Sequence, residues 1–232
     1  MWLFWKDIIP FEPGYISNLS RCWEEVAHLG VREYIKAGSE FSFLTEKRYA
    51  GKFAYIRKGC LHSFILLPDG SERLKLVVDE GSLIYEAYCS AGGCERETWH
   101  RTKKDVELVC FDGRLLHDPA FQKAYPLLIA NVLRSTATKY IMFDALLDCM
   151  QKKTAMEKVA WYIGKLSDVR GKTLRLSPGL SQSEAATLLG LSRATMTRVI
   201  TELKEQGIIA GFTRHTLEIL DRERLAQLEQ AE

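Results

Sequence analysis

The chain has no apolar run approaching the ~20 residues that a bilayer-spanning helix needs, so no membrane segment is expected in it. Its opening, Met1-Trp2-Leu3-Phe4-Trp5-Lys6-Asp7, lacks the basic start and long apolar stretch of a secretory signal. Those aromatics read instead as a small patch that docks the terminus on the body. Cysteine is sparse and scattered, at Cys22, Cys60, Cys89, Cys94, Cys110 and Cys149. A chain of 232 residues can bury real cores without disulfides, and reduced thiols are the default. The nearest pair, Cys89 and Cys94, is spaced more widely than a metal knuckle and has no second pair to complete a site. Two unrelated thiols near a loop is the simpler reading; a redox or metal role is the alternative. His28, His62, His100 and His117 stand alone, with no His-x-His among them. No Ser/His/Asp grouping, phosphate-binding glycine loop or dinucleotide fingerprint occurs, which argues against catalysis. Repeats and low-complexity tracts are also missing. Net charge is only +2, yet residues 152–232 hold 13 Lys+Arg against 10 Asp+Glu, while the first 151 sum to −1. A mildly basic C-terminal part suits phosphate contacts, though weakly by itself.

What the chain does contain is most specific between residues 181 and 207. Ser181 with Glu184 forms a capping box that starts a helix. Gly190 supplies the left-handed residue that stops it, Leu191 plugs the corner, and Ser192 caps a second helix. There Met196, Val199, Ile200 and Leu203 recur at i, i+3, i+4, i+7 and make one apolar stripe. The opposite stripe, Arg193, Ala194, Thr197, Arg198 and Thr201, is polar, basic and short-chained, as a helix in a major groove needs. An ordinary helical hairpin with a solvated charged face is the bland alternative. The Gly-Leu-Ser corner between a short capped helix and a longer one favours a helix-turn-helix on DNA.

Around this motif the organisation is plain. Residues 1–30 read as a short helical lead-in. From 31 to 115 short strands alternate with turn signals, including an Asp69-Gly70 hairpin between Phe64–Leu67 and Arg73–Val78. From about 119 the pattern is helical. Ile129, Leu133, Thr136, Tyr140, Phe143, Leu147 and Met150 step by alternating four and three, a coiled-coil seam with only Thr136 polar. Dimerisation is the favoured reading of that seam; packing on the chain's own β unit is the alternative. Gln151–Thr154 reads as a polar hinge, Ala155–Leu166 as an amphipathic helix and Thr173–Leu176 as a short strand. Ile208-Ile209 and Thr216–Leu220 then make a hairpin wing, and 221–231 a terminal helix.

This order resembles the family of the cyclic-AMP receptor protein and the fumarate-nitrate regulator, CRP/FNR. Three stretches carry the likeness. Lys36–Phe41 with Tyr55–Gly59 is similar to the first β-roll strands, Asp69–Leu74 to the family's hairpin, and Ser192–Arg198 to its recognition helix. The hairpin and the Ser82-Leu83-Ile84 stretch are most similar to the halorespiration regulators, which sense chlorinated aromatics. The resemblance implies an α+β fold: a β-roll sensing domain of the cyclic-nucleotide-binding, jelly-roll type over 1–118, a dimerisation helix over 119–151, and a winged helix-turn-helix over 152–232. It implies a bacterial, cytoplasmic transcription regulator that binds an inverted-repeat operator in double-stranded DNA as a homodimer, with RNA polymerase as a further partner. On the DNA side it points to Ser181, Gln182, Ser192, Arg193, Ala194, Thr195, Thr197, Arg198 and Thr201. Ala194 stands where many relatives carry a Glu that reads cytosine, so one base contact is expected to be missing.

For the effector the resemblance points to Tyr85, Glu86, Arg96, Glu97, Tyr140 and Phe143. Glu86 falls where a Glu holds a ribose, and Arg96 where an Arg pairs with a phosphate. Tyr85, however, replaces a roomy Gly, and Glu97 replaces a Ser that donates to the phosphate, which sets a carboxylate against an anion. Cyclic AMP is therefore expected to bind poorly, and a different small-molecule effector to act. Arg96, Glu97 and Arg101 also read as a solvated strand of alternating charge. No cofactor is expected: an iron–sulfur cluster needs several N-terminal cysteines where only Cys22 stands, and a haem needs an axial ligand. Two other functional classes remain, a metal-dependent β-barrel enzyme carrying a DNA module and an ungated DNA-binding protein.

Overall fold

The computed structural model describes residues 13–93, 97–169 and 174–229. Contacts group residues 14–140 into one compact unit and those from Ile141 onward into a second. In the first unit the strands are β1 (Tyr15–Ile16), β2 (Val31–Ile35), β3 (Glu40–Ser42), β4 (Lys52–Lys58), β5 (Cys60–Leu66), β6 (Glu72–Asp79) and β7 (Ser82–Ile84). A short helix α1 (Glu86–Ala91) follows, then β8 (Trp99–Thr102), β9 (Val106–Asp112) and helix α2 (Pro119–Ala124). Helix α3 (Pro126–Gln151) begins in this unit and continues beyond it.

The strands form two sheets, one ordered β1-β6-β5-β8-β3 and the other β2-β9-β4-β7. The Asp69-Gly70 turn joins β5 to β6, with Leu66 opposite Glu72 and Gly70 at φ 80°. Its five-residue loop closes through Leu67 N to Ser71 O at 2.9 Å. The lead-in differs from the expected helix. Among its described residues Tyr15–Ile16 pair in parallel with Val77–Val78, and Arg21–Leu29 is 3-10 helix. Its role is to deliver Trp23 to the core. That ring is fully buried, edge-on to Phe53 at 5.2 Å and to Phe111 at 5.3 Å. Its indole N–H donates to Asn131 Oδ1 at 3.1 Å, and Asn131 donates onward to Leu19 O at 2.7 Å, so the first turns of α3 are tied to the roll. Gly30 is required by packing: a Cβ there would lie 2.5 Å from Val109 Cγ1.

Tyr125 interrupts the expected helix from 119, which is therefore two helices, α2 and α3. Along α3, Leu128, Val132, Ser135, Met142, Leu146 and Cys149 are buried. The seam read from the sequence lies on another face. Leu133, Tyr140 and Leu147 are 68%, 69% and 61% exposed.

The second unit holds α4 (Ala155–Val169), β10 (Arg175–Leu176), α5 (Gln182–Leu188), α6 (Arg193–Glu205), β11 (Ile209–Phe212), β12 (Leu217–Ile219) and α7 (Arg222–Glu229). The segment read as a hinge holds a helix start. Gln151 is still helical, and Thr154 starts α4, its Oγ1 accepting from Glu157 N at 3.2 Å and donating to Glu157 Oε1 at 2.8 Å while Glu157 Oε2 accepts from Lys153 N at 3.0 Å. Helix α7 packs on α4, where the Glu229 carboxylate occupies the space a side chain at Gly164 would need. Burial pushes that carboxyl up to about 7. The short strand expected before α5 is limited to β10 among the described residues, pairing with β12 in a sheet ordered β10-β12-β11. No described helix is long and apolar enough to cross a membrane.

Candidate nucleic-acid interface and effector site

The α5–α6 pair is built almost wholly by local chemistry. Ser181 N donates to Glu184 Oε2 at 2.8 Å while Glu184 N donates to Ser181 Oγ at 3.3 Å, which is the reciprocal box expected. Gly190, at φ 67°, closes α5: Leu191 N reaches Ala186 O at 2.8 Å and Gly190 N reaches Thr187 O at 3.3 Å, both arms of a Schellman stop. The same stop recurs after α6, where Ile208 N reaches Leu203 O at 2.9 Å and Gly207 N reaches Lys204 O at 3.0 Å. Ser192 Oγ accepts from Thr195 N at 3.0 Å and begins α6.

Between those ends the two stripes separate as read. Met196, Val199, Ile200 and Leu203 are buried, and Arg193, Ala194, Thr197, Arg198 and Thr201 are exposed. Neither Arg193 nor Arg198 has an ion-pair partner among the described residues, so both guanidinium forks are available to an outside anion or base edge. Other candidates are already engaged. Ser181, Ser192 and Thr195 serve the caps, Thr201 Oγ1 donates to Thr197 O at 3.0 Å, and Gln182 Nε2 donates to Phe212 O at 2.8 Å. That last bond fixes the start of α5 to the wing. A second tie was invisible in the sequence: Arg214 Nη2, at the wing turn, meets Glu184 Oε2 at 2.5 Å. Glu184 thus serves its own helix and a strand pair 30 residues on.

The effector candidates gather unevenly. Tyr85 sits at φ 66°, a left-handed conformation that suits glycine, and caps the start of α1. Its ring stacks on Phe43 at 4.6 Å, filling the room a glycine would leave. Glu86 follows and is 1% exposed. Its Oε1 accepts from Ser135 Oγ at 2.7 Å and from the Lys139 ammonium, which also donates to Leu83 O at 2.8 Å. Ser135 and Lys139 lie one turn apart on α3. Among the described residues Glu86 Oε2 has no hydrogen-bond partner, and neither has the buried Oε1 of Glu97. A buried unmatched carboxylate oxygen costs more than a matched one contributes. Tyr140 is exposed on the seam face, and Phe143, half-buried, belongs to the stretch of α3 that groups with the second unit. Arg96 and Cys94 lie outside the described residues. Arg101 faces outward, held by Glu40 at 2.5 Å and Glu72 at 2.7 Å, which is the solvated-strand reading. His100 is a core histidine. It is 2.9 Å from Ser63 Oγ, and burial holds its ring down to about 3.

Residues 157–228 match the model of the Crp-like helix-turn-helix domain. The nitrogen fixation regulation protein FixK of Rhizobium meliloti (strain 1021) is 32% identical over 77 residues, which span 33% of this chain and 36% of FixK. Residues 157–228 therefore carry a Crp-like helix-turn-helix domain, and the chain spans about a third of the length of the curated relative it matches. Solved structures extend the likeness along most of the chain at the level of fold. CprK complexed with OCPA superposes with TM-score 0.80 at 15% identity, covering 94% of this chain and 100% of that one. FixK2 from Bradyrhizobium japonicum gives TM-score 0.65 at 20% identity, covering 88% and 98%. At the level of fold, the α+β order of β-roll, long helix and helix-turn-helix is shared with these structures.

Proposed function

We propose that this chain is a dimeric transcription regulator whose β-roll senses a small molecule and whose α6 reads DNA. The observation that carries this is the Crp-like domain with an exposed α6 stripe whose Arg193 and Arg198 have no ion-pair partner among the described residues. Arg198 is assigned a base edge, Arg being the usual bidentate partner of guanine, and Arg193 the backbone. With Ala194 between them, one base pair of each half-site is read loosely. Two copies, joined along the α3 seam, would engage an inverted repeat with half-sites about one helical turn apart. In functional terms residues 1–118 sense, 119–151 dimerise and 152–232 bind DNA. The assignment places the protein in the cytoplasm.

The effector reading rests on Glu86. A ligand hydroxyl or N–H would satisfy Glu86 Oε2, and its anionic end would fall to Arg96. The filled glycine position at Tyr85 and the carboxylate of Glu97 both argue against cyclic AMP. The test of the DNA reading is selection of binding sites from a random library. Arg198→Ala should relax one position and cost about 1–3 kcal/mol, and Arg193→Ala should weaken all sequences alike. The reverse pattern refutes the assignment. The effector reading is tested by calorimetry with cyclic AMP: micromolar binding coupled to tighter operator binding refutes it.

A further inference from the structure

Helix α7 grips three other elements at once, all within the second unit. Its 8 residues make a marginal helix in isolation, so its contacts keep it formed. Only Leu225 among them is buried. The rest of the grip is polar. Arg222 meets Asp168, and its Nη1 donates to Ser167 Oγ at 3.1 Å, which ties the first turn of α7 to α4. Arg224 Nη1 donates to the Gln206 carbonyl at 2.9 Å, at the close of α6. At the far end of α7, Lys152 Nζ donates to the Glu229 carbonyl at 2.6 Å. Lys152 lies on the link between α3 and α4. Both cations thus sit at the carbonyl end of a helix, where unmatched acceptors and partial negative charge favour them.

The Glu229 side chain fills a notch. A Cβ on Gly164 would lie 1.7 Å from its Oε1, so the carboxyl rests where α4 lacks a side chain. Lys165 and Asp168 of α4 face it, with Lys152, Arg222 and the Cys149 thiol of α3. Burial, aided by Asp168, outweighs the three cations and pushes the carboxyl up to about 7. Burial also pushes the Cys149 thiol up to about 12, so it stays neutral beside the carboxyl.

We propose that α7 is a clasp that holds the end of α6 to the α3–α4 link, with Arg224 and Lys152 as its positioning residues and the Glu229 carboxyl as a catch seated in the Gly164 notch. Its consequence for DNA rests on the reading of α6 given above; the clasp itself does not. The catch has a direction. Docked, the carboxyl keeps its proton up to about 7, whereas released into water it titrates near 4.5. Docking is therefore favoured at low pH and weakens by about tenfold between pH 6 and pH 8.

Hydrogen exchange of the full chain, corrected for intrinsic rates, tests the clasp. Protection of the α7 amides should fall about tenfold from pH 6 to pH 8. Glu229→Gln and Gly164→Ala should each hold that change within about twofold, the second because the added methyl turns the carboxyl out of its notch. Lys152→Met should lower protection of α7 and also of the last turn of α6, although the bond it removes is to α7. Arg224→Met should loosen the same turn of α6, and Arg224→Lys should recover most of the loss. On the tightest duplex selected from a random library, Lys152→Met and Arg224→Met should each weaken binding at least about threefold. A missing pH response, or one that survives Glu229→Gln or Gly164→Ala, overturns the catch. Loosening of α7 by Lys152→Met with α6 unmoved overturns the clasp. Unchanged duplex affinity in both variants overturns its role on DNA. If no duplex is selected, the reading of α6 fails, and the exchange measurements still decide the clasp.

Discussion

Leu133 provides the sharpest test of how the chain assembles. It stands mid-seam on α3, 68% exposed, with Tyr140 and Leu147 one and two heptads on at 69% and 61%. Burying a fully exposed leucine is worth about 1.5–3 kcal/mol. Two-thirds of that is available here, and truncation to alanine forfeits most of it. In a two-fold dimer each substitution counts twice, so Leu133→Ala should cost roughly 2–3 kcal/mol of association free energy. That corresponds to a dimer Kd weaker by about 30- to 150-fold. Sedimentation equilibrium over a broad concentration range measures it. Leu127 supplies the control. It is more exposed, at 81%, but lies two residues before Ile129 and so nearly opposite it round the helix. Leu127→Ala should shift the Kd less than twofold. If Leu133→Ala leaves association unchanged, or Leu127→Ala weakens it as much, the seam is not the interface.

Three further outcomes follow from contacts described above. Ser181→Ala removes an N-cap and should lower the stability of the DNA-binding unit by about 1 kcal/mol, read by urea melting. Arg214→Ala frees Glu184 from the wing but keeps the box. It should reduce DNA affinity more than it reduces stability, which paired binding and melting curves would reveal, and equal losses would contradict it. The two units should respond oppositely to pH. Glu229 is raised to about 7, so the fold holds its proton more tightly than the unfolded chain does, and the stability of the second unit should fall as pH rises from about 4.5 to 7. His100 is lowered to about 3, so the β-roll should lose stability as pH falls below about 6.5. Each slope is at most ~1.4 kcal/mol per pH unit. Glu229→Gln should flatten the first trend and leave the second, as followed by hydrogen exchange in each unit.

How much was legible in the sequence depends on how far apart the interacting residues lie. The helix-turn-helix came through almost intact because its determinants act within four residues: the Ser181–Glu184 box, the left-handed Gly190 and the Met196–Leu203 periodicity. A second such signal, Thr154 with Glu157, also acts within three residues, but its polar neighbours read equally as a hinge. The β-roll's turns were readable from glycine, but not the parallel docking of Tyr15–Ile16 on β6, since pairing over 60 residues leaves no local mark. Glu86 could be singled out only through the resemblance, which sets it where the family's Glu stands. Its partners Ser135 and Lys139 could not, because they meet it only when α3 crosses the roll. Arg214 stayed hidden for the same reason.

The ammonium on Glu86 has a consequence for sensitivity. Lys139 is a tethered rival for one oxygen of a carboxylate whose other oxygen stands open. An effector that requires the whole group must wait for the moments when Lys139 has let go, and its apparent affinity falls in proportion to how rare those moments are. The concentration at which such a receptor responds is then set on α3 as well as by the fit of the pocket. Replacing Lys139 with a neutral side chain of similar length would lower that threshold while leaving every ligand-facing residue of the β-roll as it is. Because Lys139 is followed directly by the exposed Tyr140, the same turn of α3 that sets the threshold also carries part of the surface a second protomer would touch.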